Sequence, residues 1–165
     1  RKPAPTRSLS MNTNPDPREL TTERLLEAPP DKVFRCWTGP RLIVRWFTPP
    51  PWKTVHAETD VRPGGSSLIV MQGPDGTQVP NRGVYLEVVP SRRLVFTDAY
   101  TSAWVPADKP FFTGERGFAD EGGRTRYTVR ARHWSVEDRD RHEQMGFHAG
   151  WGIATDQLEA LAKTL

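Results

Sequence analysis

Three side chains in one short stretch carry the most obvious chemistry. Phe96, Asp98 and Tyr100 alternate along what reads as extended chain, so they share one face. If that face turns inward, Asp98 is a carboxyl among aromatic rings. Burial raises the pKa of such a group and lets it give or take a proton. The competing reading puts Asp98 at a strand end, bonded to backbone N–H groups or to an arginine. It is the stronger of the two, because carboxylates are seldom buried without partners. His148, beside the Phe147 and Trp151 stripe, is a second candidate for a pocket wall. His133 has the parity of Tyr127 and Val129 and is expected to meet His148 near the pocket mouth. Against both stands the commoner fate of histidine, exposed or satisfied by neighbours.

Other chemistry is excluded by absence. His56, His133, His142 and His148 form no H-x-x-x-H or H-E-x-x-H spacing, and Cys36 is the single cysteine. No metal centre and no cofactor are expected, and no intrachain disulfide can form. There is no G-x-S-x-G, no phosphate loop and no dinucleotide fingerprint, which argues against nucleotide hydrolysis. Asp98, His148 and Tyr100 are then the candidates for an acid/base catalyst, and the chain reads as a binding protein before an enzyme.

The elements that must position these groups follow from pattern. Leu20 to Leu26 alternates as a first strand. Asp31 is expected to cap a short helix with Val33, Phe34 and Trp37 on one side, ended by Gly39-Pro40. A second short helix carries Leu42, Ile43, Trp46 and Phe47 and stops at Pro49-Pro50-Pro51. Strands then follow at 55–61, 67–71, 84–89, 94–100, 111–119 and 125–133, punctuated by Pro63-Gly64-Gly65, Pro74-Asp75-Gly76 and Gly122-Gly123. Residues 101–110 read as a loop carrying Trp104. From a Ser135 cap, one long helix runs to the end, with Phe147, Trp151, Ala154, Leu158, Leu161 and Leu165 as its apolar stripe. The expectation is an α+β domain in which a curved antiparallel seven-stranded sheet wraps a long C-terminal helix, with two short helices after the first strand.

The 165 residues suffice for one domain with a core. Hydrophobic residues are only 36%, but six Trp and seven Phe supply bulk. Residues 1–18 are proline-rich without apolar period and are expected to be a disordered arm or an expression remnant, with Met11 as the natural start and the domain at 19–165. Arg1, Lys2 and Arg7 in that arm account for the net charge of +3. Arg124, Arg126, Arg130 and Arg132 share one strand face. That stripe reads as a solvated outer face paired with acids, rather than a surface for an acidic partner or nucleic acid. No apolar run reaches membrane-spanning length. No nucleic-acid or membrane partner is expected, and the cytoplasm is the default location.

Several pieces together carry a resemblance: Ala28-Pro-Pro-Asp-Lys-Val-Phe34, Trp46-Phe47 before prolines, DVRPGGSSLIVMQGPDG at 60–76, GVYLEVVPSRRLVFT at 83–97, GRTRYTVRARH at 123–133, and Gly150-Trp151 before an apolar tail. In this order they resemble the SRPBCC superfamily, also called START-like or helix-grip. The closest likeness is to the branch named for the activator of the heat-shock-protein-ninety ATPase, over residues 19–165. The resemblance implies the helix-grip fold and a cavity between sheet and helix. It does not imply one activity, since relatives include lipid carriers, cyclases and co-chaperones. The leading expectation is a small apolar or aromatic ligand held for carriage, sensing or sequestration. Its lining is expected from Trp46, Phe47, Met71, Phe96, Tyr100, Trp104, Phe112, Tyr127, Met145, His148 and Trp151. A cyclase- or hydrolase-like enzyme, a chaperone-like protein partner and a homodimer stay open as alternatives.

Overall fold

The computed structural model describes residues 16–165; the arm expected at 1–18 lies outside them except for Asp16–Arg18. Those three residues are tied to the domain, since the Arg18 carbonyl accepts bonds from both the backbone N–H and the Nδ1 of His133. Strand β1 (Glu19–Leu26) precedes helices α1 (Pro30–Thr38) and α2 (Pro40–Ile43). Then come β2 (Lys53–Thr59), β3 (Ser66–Gln72), β4 (Gln78–Val89), β5 (Arg93–Thr97), β6 (Tyr100–Ser102), β7 (Val105–Pro106), β8 (Phe112–Glu121) and β9 (Arg124–His133). Helices α3 (Val136–Gln144) and α4 (Phe147–Ala162) close the chain.

Seven strands form one antiparallel sheet in the order β1-β9-β8-β5-β4-β3-β2. Each strand from β2 onward pairs with the next, apart from the step past the small β6–β7 ribbon, and β1 joins the far edge beside β9. The α+β architecture with two short helices after the first strand agrees with the sequence reading. Several details differ. Helix α2 ends at Ile43, short of Trp46 and Phe47, and the strand read over 94–100 stops at Thr97, so Asp98 and Tyr100 do not share it with Phe96. Pro30, not Asp31, begins α1: proline suits the first helical position, where its missing N–H is needed by no one, and Asp31 adds negative charge to the first turn. Strand β4 begins at Gln78, six residues before its apolar signal, because Gln78–Arg82 pairs with β3 alone. Pro80 is tolerated there, where only one neighbour strand needs bonds. Residues 101–110 contain the β6–β7 hairpin rather than plain loop. The long terminal helix is two helices, broken at Gly146, which takes φ 92°.

The expected cap of the first of these holds: Ser135 Oγ accepts the Asp138 N–H at 3.1 Å. Apart from the exposed Val136 at its start, helix α3 is polar and buries no residue, whereas α4 buries Phe147, Ala154, Leu158, Leu161 and Ala162. Leu158, Leu161 and Ala162 join Leu20, Leu26, Val33, Cys36, Tyr127 and Val129 in the core between α1, α4, β1 and β9. Polar bolts hold α4 in place. Arg24 pairs with Asp156 at 2.7 Å, the Glu27 N–H donates to Glu159 at 2.8 Å, and Gln157 Nε2 donates to the carbonyls of Trp46 and Thr48.

The opposite sheet face carries the arginine stripe. Arg124 pairs with Glu27, Arg126 with Glu23 and Glu121, Arg130 with Glu19, and Arg132 with Glu19 and Glu115. This is the solvated, acid-paired face that the strand parity predicts.

Candidate functional site

Helix α4 has two unlike halves. Its C-terminal half presents leucines and packs the core. In its N-terminal half Phe147, Gly150 and Trp151 border open space, and a Cβ at Gly150 would meet nothing within 4 Å. Where the helix is thin the sheet is not filled, and a pocket of about 590 Å³ lies between α4 and strands β3, β4, β5 and β8. That is the usual size of a small-molecule site, roughly 300–1,000 Å³. Ser67, Ile69 and Met71 of β3 alternate into it, as do Asn81, Gly83 and Tyr85 of β4.

Its inner wall is aromatic. Trp37 from α1 stacks with Phe96 of β5 at 5.8 Å and with Trp151 of α4 at 6.0 Å, and Phe47 meets Trp37 and Trp151 edge-on. Phe112 of β8 adds an edge to Phe96. Trp37 is fixed by a bond from its Nε1 to the Tyr127 hydroxyl at 3.0 Å.

Of the side chains expected to line a cavity, Phe47, Met71, Phe96, Phe112, Met145 and Trp151 border this pocket. Met145 does so from the rim, at 71% exposure. The rest do not. Trp46 is wholly buried and donates from Nε1 to the Cys36 carbonyl, while Tyr127 lies behind Trp37. Tyr100 packs on Trp104 in the β6–β7 ribbon, and Trp104 is 67% exposed. His148, in the first turn of α4 after the break at Gly146, is exposed and does not border the pocket. Tyr100 and His148 therefore also fall away as acid/base candidates at the pocket.

Asp98 does border the pocket, just past the end of β5. Its Oδ1 accepts the backbone N–H of Phe111 at 2.8 Å and of Phe112 at 3.2 Å, so it serves the strand-end role anticipated as the stronger reading. Burial raises its pKa, and the two N–H bonds and nearby His133 oppose the rise.

His133 meets a histidine, but His142 of α3 rather than His148: His133 Nε2 and His142 Nδ1 are 2.8 Å apart. The Arg18 carbonyl can only accept, so His133 Nδ1 carries a hydrogen. In the neutral pair His133 Nε2 is then the acceptor and His142 Nδ1 the donor, which leaves His142 Nε2 bare. His142 borders the pocket among Phe111, Phe112 and Phe147. Burial first, then the His133 and Arg116 charges, hold it down at about 4. Nothing in the sequence marks His142, because α3 has no apolar period to set a face.

The second residue missed is Arg116. It has no exposed surface at all. Its guanidinium carbon lies 4.8 Å from the ring centres of both Trp37 and Trp151 and 5.2 Å from Phe96. One Nη donates to the Glu115 carbonyl at 3.0 Å, and Nε has no partner. Burial lowers its pKa, opposed only by the Tyr127 hydroxyl. The signal was present: Phe112, Gly114, Arg116 and Phe118 share parity on β8, so naming Phe112 an inward residue places Arg116 inward too.

The depressed His142 pKa has a measurable consequence. The unfolded chain takes up this proton near pH 6.5 and the folded chain only near pH 4, so His142 contributes stability that is complete above pH 6.5 and lost between 6.5 and 4. Asp98, raised, works in the opposite direction. Between pH 7.5 and 4.5 the unfolding free energy from urea titration is expected to fall further in the parent than in His142→Gln, by about 2 kcal/mol after allowance for the partial exposure of the ring. Identical pH dependence in the two proteins would refute the assignment.

Among the described residues, no group of three or more His, Cys, Asp or Glu side chains could hold a metal ion, and no helix is long and apolar enough to cross a membrane. Burial pushes the Cys36 thiol up to about 11, which leaves it unreactive at neutral pH.

Comparison with known proteins agrees with this architecture. Residues 27–163 match the family model described as activator of Hsp90 ATPase homolog 1-like protein. Among solved structures, protein NE0264 from Nitrosomonas europaea is 39% identical, with a TM-score of 0.87 over 91% of this chain and 97% of that one. Protein Ms6760 from Mycobacterium smegmatis is 27% identical, with a TM-score of 0.75 over 88% and 91%. An AHSA1-like protein from Aeromonas hydrophila shares the fold at 22% identity, with a TM-score of 0.68 over 88% and 92%. No curated protein matches the chain.

Proposed function

The chain belongs to the activator of Hsp90 ATPase homolog 1-like family, and we propose that it works as a binding protein for a small apolar or aromatic molecule held between the sheet and the first half of α4. The observation that carries this reading is the pocket of about 590 Å³, walled by Trp37, Phe47, Phe96, Phe112 and Trp151. A wall of aromatic rings suits a flat, apolar guest, and Met71 supplies an adaptable edge. Binding is driven by burial of apolar area and gives a negative heat-capacity change.

The test is a fluorescence titration with the uncharged probe N-phenyl-1-naphthylamine. Met71→Trp adds bulk inside the pocket and is expected to weaken binding about tenfold or more, which is about 1.4 kcal/mol. Equal affinity in parent and variant would place the guest elsewhere and return the argument to a protein-partner role.

One observation favours a second, catalytic reading. His142 borders the pocket with its Nδ1 committed to His133, itself held by the Arg18 carbonyl, so its Nε2 is left as a proton acceptor for an acidic guest, a weak one because burial holds its pKa down. The enzyme alternative raised from the sequence thus survives with His142 in place of His148, and with Asp98 held in its strand-end role.

A further inference from the structure

Arg116 is unusual in any setting. Buried cations are ordinarily paired with a carboxylate, since removing a charge from water is costly and only an opposite charge and full hydrogen bonding offset it. Arg116 is fully buried, its Nε is unpartnered, and no carboxylate among the described residues is in ion-pair reach of it. Glu115, next to it in sequence, points to the other sheet face and is taken by Arg93 and Arg132. The guanidinium is held instead by the faces of the same rings, Trp37, Trp151 and Phe96, that form the pocket wall.

A positive charge behind an apolar wall gives the pocket a positive potential that little water can screen. The rim adds Arg82 and Lys109 with the same sign. The one carboxylate bordering the pocket, Asp98, already accepts two backbone N–H bonds.

We propose that the pocket selects aromatic molecules that carry a negative charge, such as a carboxylate, sulfonate or phenolate, with the charged end lying over the Trp37–Trp151 wall in front of Arg116. This rests on the reading of the pocket as a ligand site. A ring-stacked guest would hold its charge about 8 Å from the guanidinium, where an effective dielectric of about 20 gives a preference on the order of 30-fold over an uncharged analogue. Because the charge is buried, the preference outlasts added salt, whereas attraction by Arg82 and Lys109 does not.

The test pairs two probes of one aromatic skeleton, anionic 1-anilinonaphthalene-8-sulfonate and neutral N-phenyl-1-naphthylamine, on the parent, Arg116→Met and Arg116→Lys. The parent is expected to prefer the anion about tenfold or more at both 0.05 and about 1 M NaCl. Arg116→Met should lose that preference while still binding the neutral probe, and Arg116→Lys should keep most of it. If Arg116→Met does not fold, the salt comparison on the parent decides: a preference that disappears at high salt belongs to the rim and overturns the proposal. Equal affinity for both probes in the parent overturns it while leaving the binding function intact. Binding of neither probe would bring down the binding function itself.

Discussion

Trp37→Ala is expected to lower stability by about 3–5 kcal/mol, the cost of a buried tryptophan replaced by alanine in a core that cannot collapse to fill the gap. Trp37 ties together several parts of the molecule. Its ring meets Trp46, Phe47, Phe96 and Trp151, and its Nε1 bonds the buried Tyr127 hydroxyl. Removal therefore leaves a hydroxyl without its donor and takes one of three ring faces from Arg116. Trp37→Phe keeps the packing but not the donor and should cost less than half as much. Urea midpoints of the three proteins, with equal slopes, check the order; a Trp37→Ala midpoint close to the parent's would mean that the pocket wall carries no weight in the fold.

Gly65→Ala is expected to be nearly as damaging, at about 3 kcal/mol or more, although only one methyl is added. Gly65 closes the turn between β2 and β3. Its N–H donates to the Arg62 carbonyl, and its own carbonyl accepts from the Tyr85 N–H, tying the turn to β4. A Cβ at this position would overlap the Asp60 carbonyl oxygen, which is backbone and cannot swing aside as a flexible side chain could. The neighbouring turn gives the control. Gly76 has open space around it, so Gly76→Ala should cost only what its φ of 87° imposes, about 1–2 kcal/mol. If the two alanine variants melt together, the close approach at Gly65 is not the constraint that the turn geometry implies.

The difference between these glycines was not legible from sequence. Pro63-Gly64-Gly65 and Pro74-Asp75-Gly76 both announce turns, and both are turns, but how tightly each closes depends on how its own backbone folds back, as the Asp60 carbonyl does over Gly65. The same division runs through the molecule. Strand positions were readable because alternation is local, and the last strand was placed to the residue at its His133 end. The start of β4 was not, because Gln78–Arg82 lacks an apolar alternation and depends on β3 for its conformation. The two short helices after β1 were visible through their apolar positions and prolines. The break at Gly146 was not, because the apolar stripe resumes in phase with a long helix only from Phe147 onward. It is His142, before the break, and not His148, after it, that borders the pocket. The other omission was a matter of expectation: charge was read as outward. On β9 that holds for Arg124, Arg126, Arg130 and Arg132, and on β8 it fails at Arg116, whose parity already placed it among Gly114 and Phe118.

The two unlike halves of α4 have a consequence for how such a protein can change. The leucine half sets whether the chain folds, and the glycine-rich half sets what shape of space is left over. A substitution at Gly150, which borders the pocket, enters open volume rather than packed core, so it can redraw the outline of the pocket with little penalty to the rest of the domain. Stability and selectivity are written in adjacent turns of one helix yet can be edited separately, which makes Gly150 a natural place to diversify in a library and a natural place for lineages of this fold to diverge in what they hold.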